Sequence, residues 1–347
     1  MTIRGASLWP ILAAALALVP LSKVVSQEQD PVKARLRQAD RAVSARDFQK
    51  AVTAYQSALD ELKEAPGRSS ERDVIRLRLA RAQRSAGDLE AALNSLGVLR
   101  RSCEDPGLRA EAFTESVETA KEKKDRPALE KALADMSSQP EPLAGLAALE
   151  KGRILYQDSS FSEALAIFQE LAASDRPCAP EAAVYRIRCL RALKKNEDLD
   201  AACREALGAD KPASPALLQA AGSHLAELIF EKSKDGRAAV REALLISARA
   251  ASAGPPSRDD AAEDYVRALL VEARCYLALA STAEAPAAKE TYGERAAGLY
   301  REVASSYRGT RGTEEAEAAL KASEGHKPKS ESEKPKKSHR SAPENRR

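Results

Sequence analysis

The 347-residue chain combines 4% aromatics with 31% charged residues, too little bulk for one large enzyme-like core. Its Ala-, Leu-, Glu- and Arg-rich texture points instead to helices, as a coiled coil or as a helical array. The formal charge of +3 is uneven: Arg4 and Lys23 put +2 into residues 1–26, and eight Lys/Arg against four Glu put +4 into the stretch from Ala322. That leaves −3 for the body between, which gives no support to a nucleic-acid groove.

Residues 1–26 read as an export signal. Arg4 supplies a thin positive start, and Leu8 to Leu21 is an uncharged apolar run, short for a membrane span and ordinary for a signal. Val24 and Ser26 would sit at −3 and −1 of a cleavage site before Gln27. An uncleaved N-terminal anchor is the alternative, and either one puts the rest of the chain outside the cytoplasm. No cysteine follows the apolar run, which excludes a lipoprotein anchor.

Helical hairpins begin at Pro31. Arg46-Asp47-Phe48 turns the chain, and Ala51, Val52, Tyr55, Ala58 and Leu59 form the apolar stripe of a second helix. The next turn, Ala86-Gly87-Asp88-Leu89, precedes Ala92, Leu93, Leu96 and Leu99, so Pro66-Gly67-Arg68-Ser69-Ser70 reads as an enlarged loop between hairpins. A weaker hairpin follows, with Phe113, Val117 and Ala120, then Pro127 as a first helical residue, then Leu129 and Leu133. Pro140 and Pro142 close it off.

Ala147 to Leu171 carries the clearest pattern. Leu149, Gly152, Leu155 and Tyr156 share one helix face, Asp158-Ser159-Ser160 breaks the chain, and Phe161, Ala164, Leu165, Phe168 and Leu171 share another. Ser160 and Glu163 have the spacing of a capping box. Gly152 and Ala164 are small enough to let the two helices approach closely. No heptad persists long enough for a coiled coil, so an array remains.

This hairpin resembles the tetratricopeptide repeat, a helix–turn–helix unit of about 34 residues that covers its apolar face with the next unit along. The stripe from Ala51 resembles the same family, and the likeness spans roughly Pro31 to Ala322. It implies an all-α, right-handed α-solenoid of six or seven stacked antiparallel hairpins.

The order continues with Val184, Ile187, Leu190 and Leu193, a turn at Lys195-Asn196-Glu197-Asp198, and Leu199, Ala202, Ala206 and Leu207. Pro212 and Pro215 open another pair, Leu217–Phe230 and Ala238–Ala251, joined at Asp235-Gly236. After the break at Gly254-Pro255-Pro256, Ser257 is placed to cap a long helix through Tyr265, Leu269 and Cys275 to Leu279. The last unit, with Tyr300, Val303, Tyr307 and Ala316 to Leu320, resembles repeats of bacterial cell-envelope assembly proteins, though Tyr307-Arg308 stands where those have Tyr-Pro. The expected division is therefore a signal at 1–26, a repeat domain at 27–322 with sub-boundaries near 140 and 255, and a basic, disordered tail at 323–347.

Constellations for catalysis are missing. Of the three histidines, His326 and His339 lie in the tail, leaving His224 alone on a helix. There is no His-Glu-x-x-His or Cys-x-x-Cys metal set, no phosphate-cradling glycine loop and no Gly-x-Ser-x-Gly, so no enzyme, metal or cofactor is expected. Five cysteines, Cys103, Cys178, Cys189, Cys203 and Cys275, cannot all pair. Cys189 and Cys203 fall on one hairpin and either bridge it or serve as small buried residues.

The resemblance also implies a ligand face on the first helix of each hairpin, at its second, fifth, ninth and twelfth positions. The ninth are Arg81, Arg153 and Arg191 here, and the twelfth are Arg84, Tyr156 and Lys194; the earliest hairpin departs, with Asp40 and Val43. A basic row in an acidic body implies an acidic or C-terminal carboxylate segment of a protein or peptide partner, held by arginine forks. The expected role is a non-catalytic scaffold of a bacterial envelope, periplasmic or secreted, with a self-associating structural component as the alternative. Membrane contact would come only from an uncleaved N-terminal segment, or weakly from the tail at about 1 kcal/mol per Lys or Arg near a charged surface.

Overall fold

The computed structural model describes residues 30–63, 67–208, 214–232, 236–255 and 259–324. The signal, the tail from Gly325 with His326 and His339, and the residues Pro66, Pro212, Asp235, Pro256 and Ser257 lie outside them, while Ser323 and Glu324 of the expected tail are helical. Every described element is an α-helix: α1 (Pro31–Ser44), α2 (Phe48–Glu61), α3 (Ser69–Ser85), α4 (Leu89–Ser102), α5 (Pro106–Lys123), α6 (Arg126–Ser137), α7 (Leu143–Gln157), α8 (Phe161–Ala172), α9 (Ala179–Ala192), α10 (Asn196–Gly208), α11 (Pro215–Lys232), α12 (Arg237–Ala251), α13 (Asp259–Ser281), α14 (Pro286–Ser306) and α15 (Arg311–Glu324). None of them is long and apolar enough to cross a membrane.

One turn design recurs. Arg46, Gly87, Lys124, Ser159 and Lys194 each follow an odd-numbered helix at positive φ, between 55° and 84°. The next residue's N–H then reaches back to the helix, as in Asp47 to Ala42 O (2.8 Å), Asp88 to Gln83 O (2.9 Å) and Ser160 to Leu155 O (2.8 Å). This left-handed closure satisfies carbonyls that the helix end leaves open. In the first three turns the same residue is an aspartate that caps the following helix, Asp47 on Lys50 N, Asp88 on Ala91 N and Asp125 on Ala128 N. One short segment thus ends one helix and starts the next, which sets the antiparallel hairpin.

The chain forms two compact units that divide between Ala132 and Leu133, inside α6. In unit 1, α1 to α4 pack in sequence and α5 covers α3 and α4. Its core runs through Val32, Tyr55, Leu62 and Ile75 and then through Leu77, Leu96, Leu99 and Ala112. In unit 2, α7 to α9 and α10 to α15 pack successively, and the first helices α9, α11 and α13 also touch directly. Helices α12 and α13 pack on one another on either side of the break at 255.

Unit 2 is centred on Phe168, fully buried among Leu149, Leu171, Tyr185, Leu190 and Leu199. Gly152 is the close approach between α7 and α8: a Cβ there would stand 2.7 Å from Phe168 Cε1 and Cζ. It is the Phe168 ring, more than Ala164, that the glycine accommodates.

Several local expectations shift. Helix α7 starts at Leu143 rather than Ala147, and Pro127 is the second residue of α6. Asn196, Glu197 and Asp198 form the first turn of α10, because the turn itself closes at Lys194. Ser160 is the N-cap of α8, but its side chain makes no cap hydrogen bond, so the capping box is not formed. All five cysteines are free thiols, and Cys189 and Cys203 are small buried members of the unit 2 core.

Candidate functional site

In unit 1, Arg81 and Arg84 lie one turn apart on α3 and both reach α5. Arg81 meets Glu111 (2.9 Å) and Glu115 (2.7 Å); Arg84 meets Glu115 (3.1 Å) and Glu122 (2.7 Å). These guanidiniums are neutralised by acids of the next first helix. Pairs this exposed each contribute about 0–1 kcal/mol, so they exchange with water and other acids.

In unit 2 the expected residues meet a more buried set. Arg153 of α7 pairs with Glu150 (2.8 Å) and sits over the Tyr185 ring, 5.5 Å from its centre. Tyr156 packs edge-on against Phe161 and Tyr185, with ring centres 5.3 and 5.6 Å apart. Arg188, which the sequence reading passed over, covers Tyr185 from α9 at 5.1 Å. Arg191 reaches Glu227 and Glu231 of α11, each at 3.1 Å. Lys194 stands apart: it is the exposed left-handed residue that ends α9.

Beneath these lies a buried polar cluster shared by α9, α11 and α13. Arg188 donates through Nε (2.9 Å) and Nη2 (2.7 Å) to Asp264 Oδ2, and the two side chains are only 12% and 3% exposed. Asp264 Oδ1 faces His224 Nε2 at 3.4 Å. That is too long for a good hydrogen bond, and neither His224 ring nitrogen has a hydrogen-bond partner. Next to it, Glu227 gathers Arg191, Arg267 (2.9 Å) and Arg274 (3.6 Å).

Burial and charge set the protonation of this cluster. Burial raises the Asp264 pKa, but the facing His224 and Arg188 outweigh it and hold the carboxyl down at about 2. Glu227 is likewise pushed up by burial and pulled below its usual value by Arg267 and Arg191. His224 is shifted down, first by burial and then by Arg267, against the pull of Asp264 and Glu227, so it is neutral at pH 7.

Above the cluster is a cleft of about 420 Å³. Its lining comes from the first helices of the hairpins and from α15: Arg153 and Tyr156 from α7, Tyr185, Arg188 and Arg191 from α9, His224 from α11, Glu263, Asp264 and Arg267 from α13, and Arg311 from α15. The second helices lie behind, in the role the repeat pattern assigns them. The fold is tetratricopeptide-like.

The chain is similar in structure to a tetratricopeptide repeat protein from Parabacteroides merdae, with a TM-score of 0.45, 13% identity and coverage of 84% of this chain and 98% of that one. It is also similar to PilW, described as a widely conserved type IV pilus biogenesis factor, with a TM-score of 0.44, 15% identity and coverage of 70% and 97%. A further similarity is to the paired TPR domains of yeast Sti1 in complex with pHSP90, at a TM-score of 0.26, 15% identity and coverage of 68% and 98%. No family model and no curated protein matches the chain.

Of the six expected residues, Arg153, Tyr156 and Arg191 meet at the cleft, Arg81 and Arg84 form the separate network of unit 1, and Lys194 belongs to a turn. Arg188, His224, Arg267 and Arg311 complete the lining. A sequence signal for part of it exists: His224, Glu227 and Glu231, and likewise Asp264, Arg267 and Arg274, repeat at helical spacing on otherwise apolar stripes. Among the described residues, no group of His, Cys, Asp and Glu is arranged to hold a metal ion.

Proposed function

We propose that the protein is a non-catalytic scaffold, exported to a bacterial envelope, that holds an acidic segment of a partner protein against its first helices. The observation that carries this reading is the cleft of unit 2, where five arginines line the wall beside Glu263 and Asp264, with Glu150, Glu227 and Glu231 paired to Arg153, Arg191 and Arg267 around it. Arginines ranged along a concave wall offer forked contacts to carboxylates, which can exchange with the acids already there. The proposed contacts are Arg81 and Arg84 within unit 1 and, separately, Arg153, Tyr156 and Arg191 within unit 2, with Lys194 at the exposed end of α9. In unit 1 a partner carboxylate engages Arg81 and Arg84 by exchanging with the glutamates of α5, whose exposed pairs are weak enough to allow it.

The test compares proteins cross-linked to the wild-type chain and to R81A/R153A/R191A in cells. Partners should be lost from the variant, and more completely at raised salt, because exposed charge contacts are screened. An identical set captured by both chains refutes the reading.

A further inference from the structure

We infer that the open face of α1, at the start of unit 1, is a docking surface for anionic lipid headgroups, with Arg37 and Arg41 meeting the lipid phosphates. Helical geometry puts Ala34, Arg37, Gln38 and Arg41 in one row, continued by the cap residue Ala45. Val32 and Ala39 point the other way, into the unit 1 core. The row holds none of the expected ligand-face residues of α1, which are Asp40 and Val43.

This face departs from the array at one definite place. Helix α3 is covered by α2 before it, and α9 by α8. In the register that aligns Asp40 with Arg81 and Arg191, Ala34 and Gln38 match Ile75 and Leu79 on α3, and Tyr185 and Cys189 on α9, all of them buried. Arg41 stands where α3 has the buried Ala82. Among the described residues no helix precedes α1, and its row is exposed. A further apolar hairpin does not fit here, because the guanidinium and the amide would lose water without gaining partners.

Negative charge does fit. Residues 31–50 carry six Lys/Arg against two Asp, a net +4, whereas residues 51–321 sum to −5. Elsewhere on unit 1 the first-helix arginines are answered by acids, Arg78 by Asp40 and Arg81 and Arg84 by the glutamates of α5. Neither Arg37 nor Arg41 has an ion-pair partner among the described residues. With Gln38 they line a shallow hollow of about 470 Å³ whose floor is Ala34, Ala42 and Ala45. Asp47 and Lys50 at its edge neutralise one another at 2.6 Å. Alanines on the floor leave room for an anion between the two guanidiniums, and the arginine fork matches a phosphate with two parallel N–H bonds.

What lies next to the face makes that phosphate a lipid's. The apolar run Leu8 to Leu21 ends nine residues before Asp30, and nine extended residues span about 30 Å at most. A membrane that takes up the run therefore has α1 close to its surface. One short apolar segment gives marginal attachment, and a basic patch beside it is the second signal that makes attachment stable.

The test is co-sedimentation of the full chain with vesicles of phosphatidylcholine alone and of an equal mixture with phosphatidylglycerol. The apolar run and the tail are common to every chain compared, so the readout is the preference for the anionic vesicles. Wild type should show that preference, and R37Q/R41Q should lose roughly thirtyfold of it, the effect of two cations at a charged surface, with an unchanged helical circular dichroism signal. R101Q/K131Q removes the same charge from exposed positions on α4 and α6 and should bind as wild type does.

Equal loss in both variants would reduce the effect to net charge and overturn the inference, as would equal binding of wild type and R37Q/R41Q. Millimolar inorganic phosphate at constant ionic strength should leave the chain on the vesicles. Release by phosphate would assign the hollow to a free anion, release by an acidic hexapeptide would assign it to a protein partner, and either result overturns the lipid reading. Arg37 and Arg41 take no part in the contacts proposed for the scaffold, so failure here leaves that reading standing.

Discussion

Replacing Asp264 with Asn keeps the shape of the side chain and removes the charge that Arg188 is clamped to. At 2.7 Å, two unit charges attract by about 6 kcal/mol at an effective dielectric of roughly 20. The desolvation of both groups offsets much of that, so the pair itself contributes little net stability. Removing one member is different, because Arg188 keeps its positive charge with its side chain only 12% exposed. Breaking a buried pair in this way costs about 3–5 kcal/mol, with the lower end favoured here because Arg188 borders the cleft and can draw in water. Urea unfolding followed by circular dichroism at 222 nm should show the loss as an earlier transition of part of the helical signal, since hairpin stacks melt by neighbourhoods. The double change R188M/D264L should recover most of it. A D264N chain within about 1 kcal/mol of wild type would refute the claim that this pair is desolvated.

Gly152→Ala should destabilise by about 1–3 kcal/mol in thermal unfolding, because its methyl would overlap the Phe168 ring; an unchanged melting temperature would mean that α7 and α8 are not in close contact. Lys194→Gly should stabilise by about 1 kcal/mol in the same assay by relieving a side chain at φ +55°, and a loss of stability would contradict the left-handed turn. His224 gives a pH signature. Its folded pKa lies below the ordinary 6.5, so the unfolded chain takes up a proton first as pH falls through 6.5. Stability should therefore decline below pH 6.5 by at most about 1.4 kcal/mol per pH unit and level off at the folded pKa. The H224N chain should lack that decline, and equal slopes for both chains between pH 7 and 5 would refute the assignment.

The hairpins were legible because their causes are local. Asp47 and Asp88 cap helices three residues on, and the stripes Ala51–Tyr55–Ala58 and Leu165–Phe168–Leu171 need only the helical repeat to be recognised. The left-handed turns were partly hidden, since Gly87 announces one but Arg46, Lys124, Ser159 and Lys194 adopt the same conformation at a local cost that the closed turn covers. Lys194 illustrates the consequence: the family resemblance places it on the ligand face, and in the structure it is the exposed residue that closes the turn after α9. The site was legible only in outline. A first-helix row of arginines could be read from repeat register, but Arg188 and Asp264 are 76 positions apart, and no local pattern pairs them.

Helix position, turn placement and the division of each helix into covered and open faces were determined by the sequence itself, because hydrogen bonds and caps act over three to five residues. Which acids each arginine meets was decided by tertiary structure alone. Arg81 and Arg153 occupy equivalent repeat positions, yet one meets the glutamates of α5 and the other meets Glu150 of its own helix and borders a cleft over a buried histidine. Charge pairing depends on distance between side chains brought together by stacking, and that distance is set by the packing of whole helices.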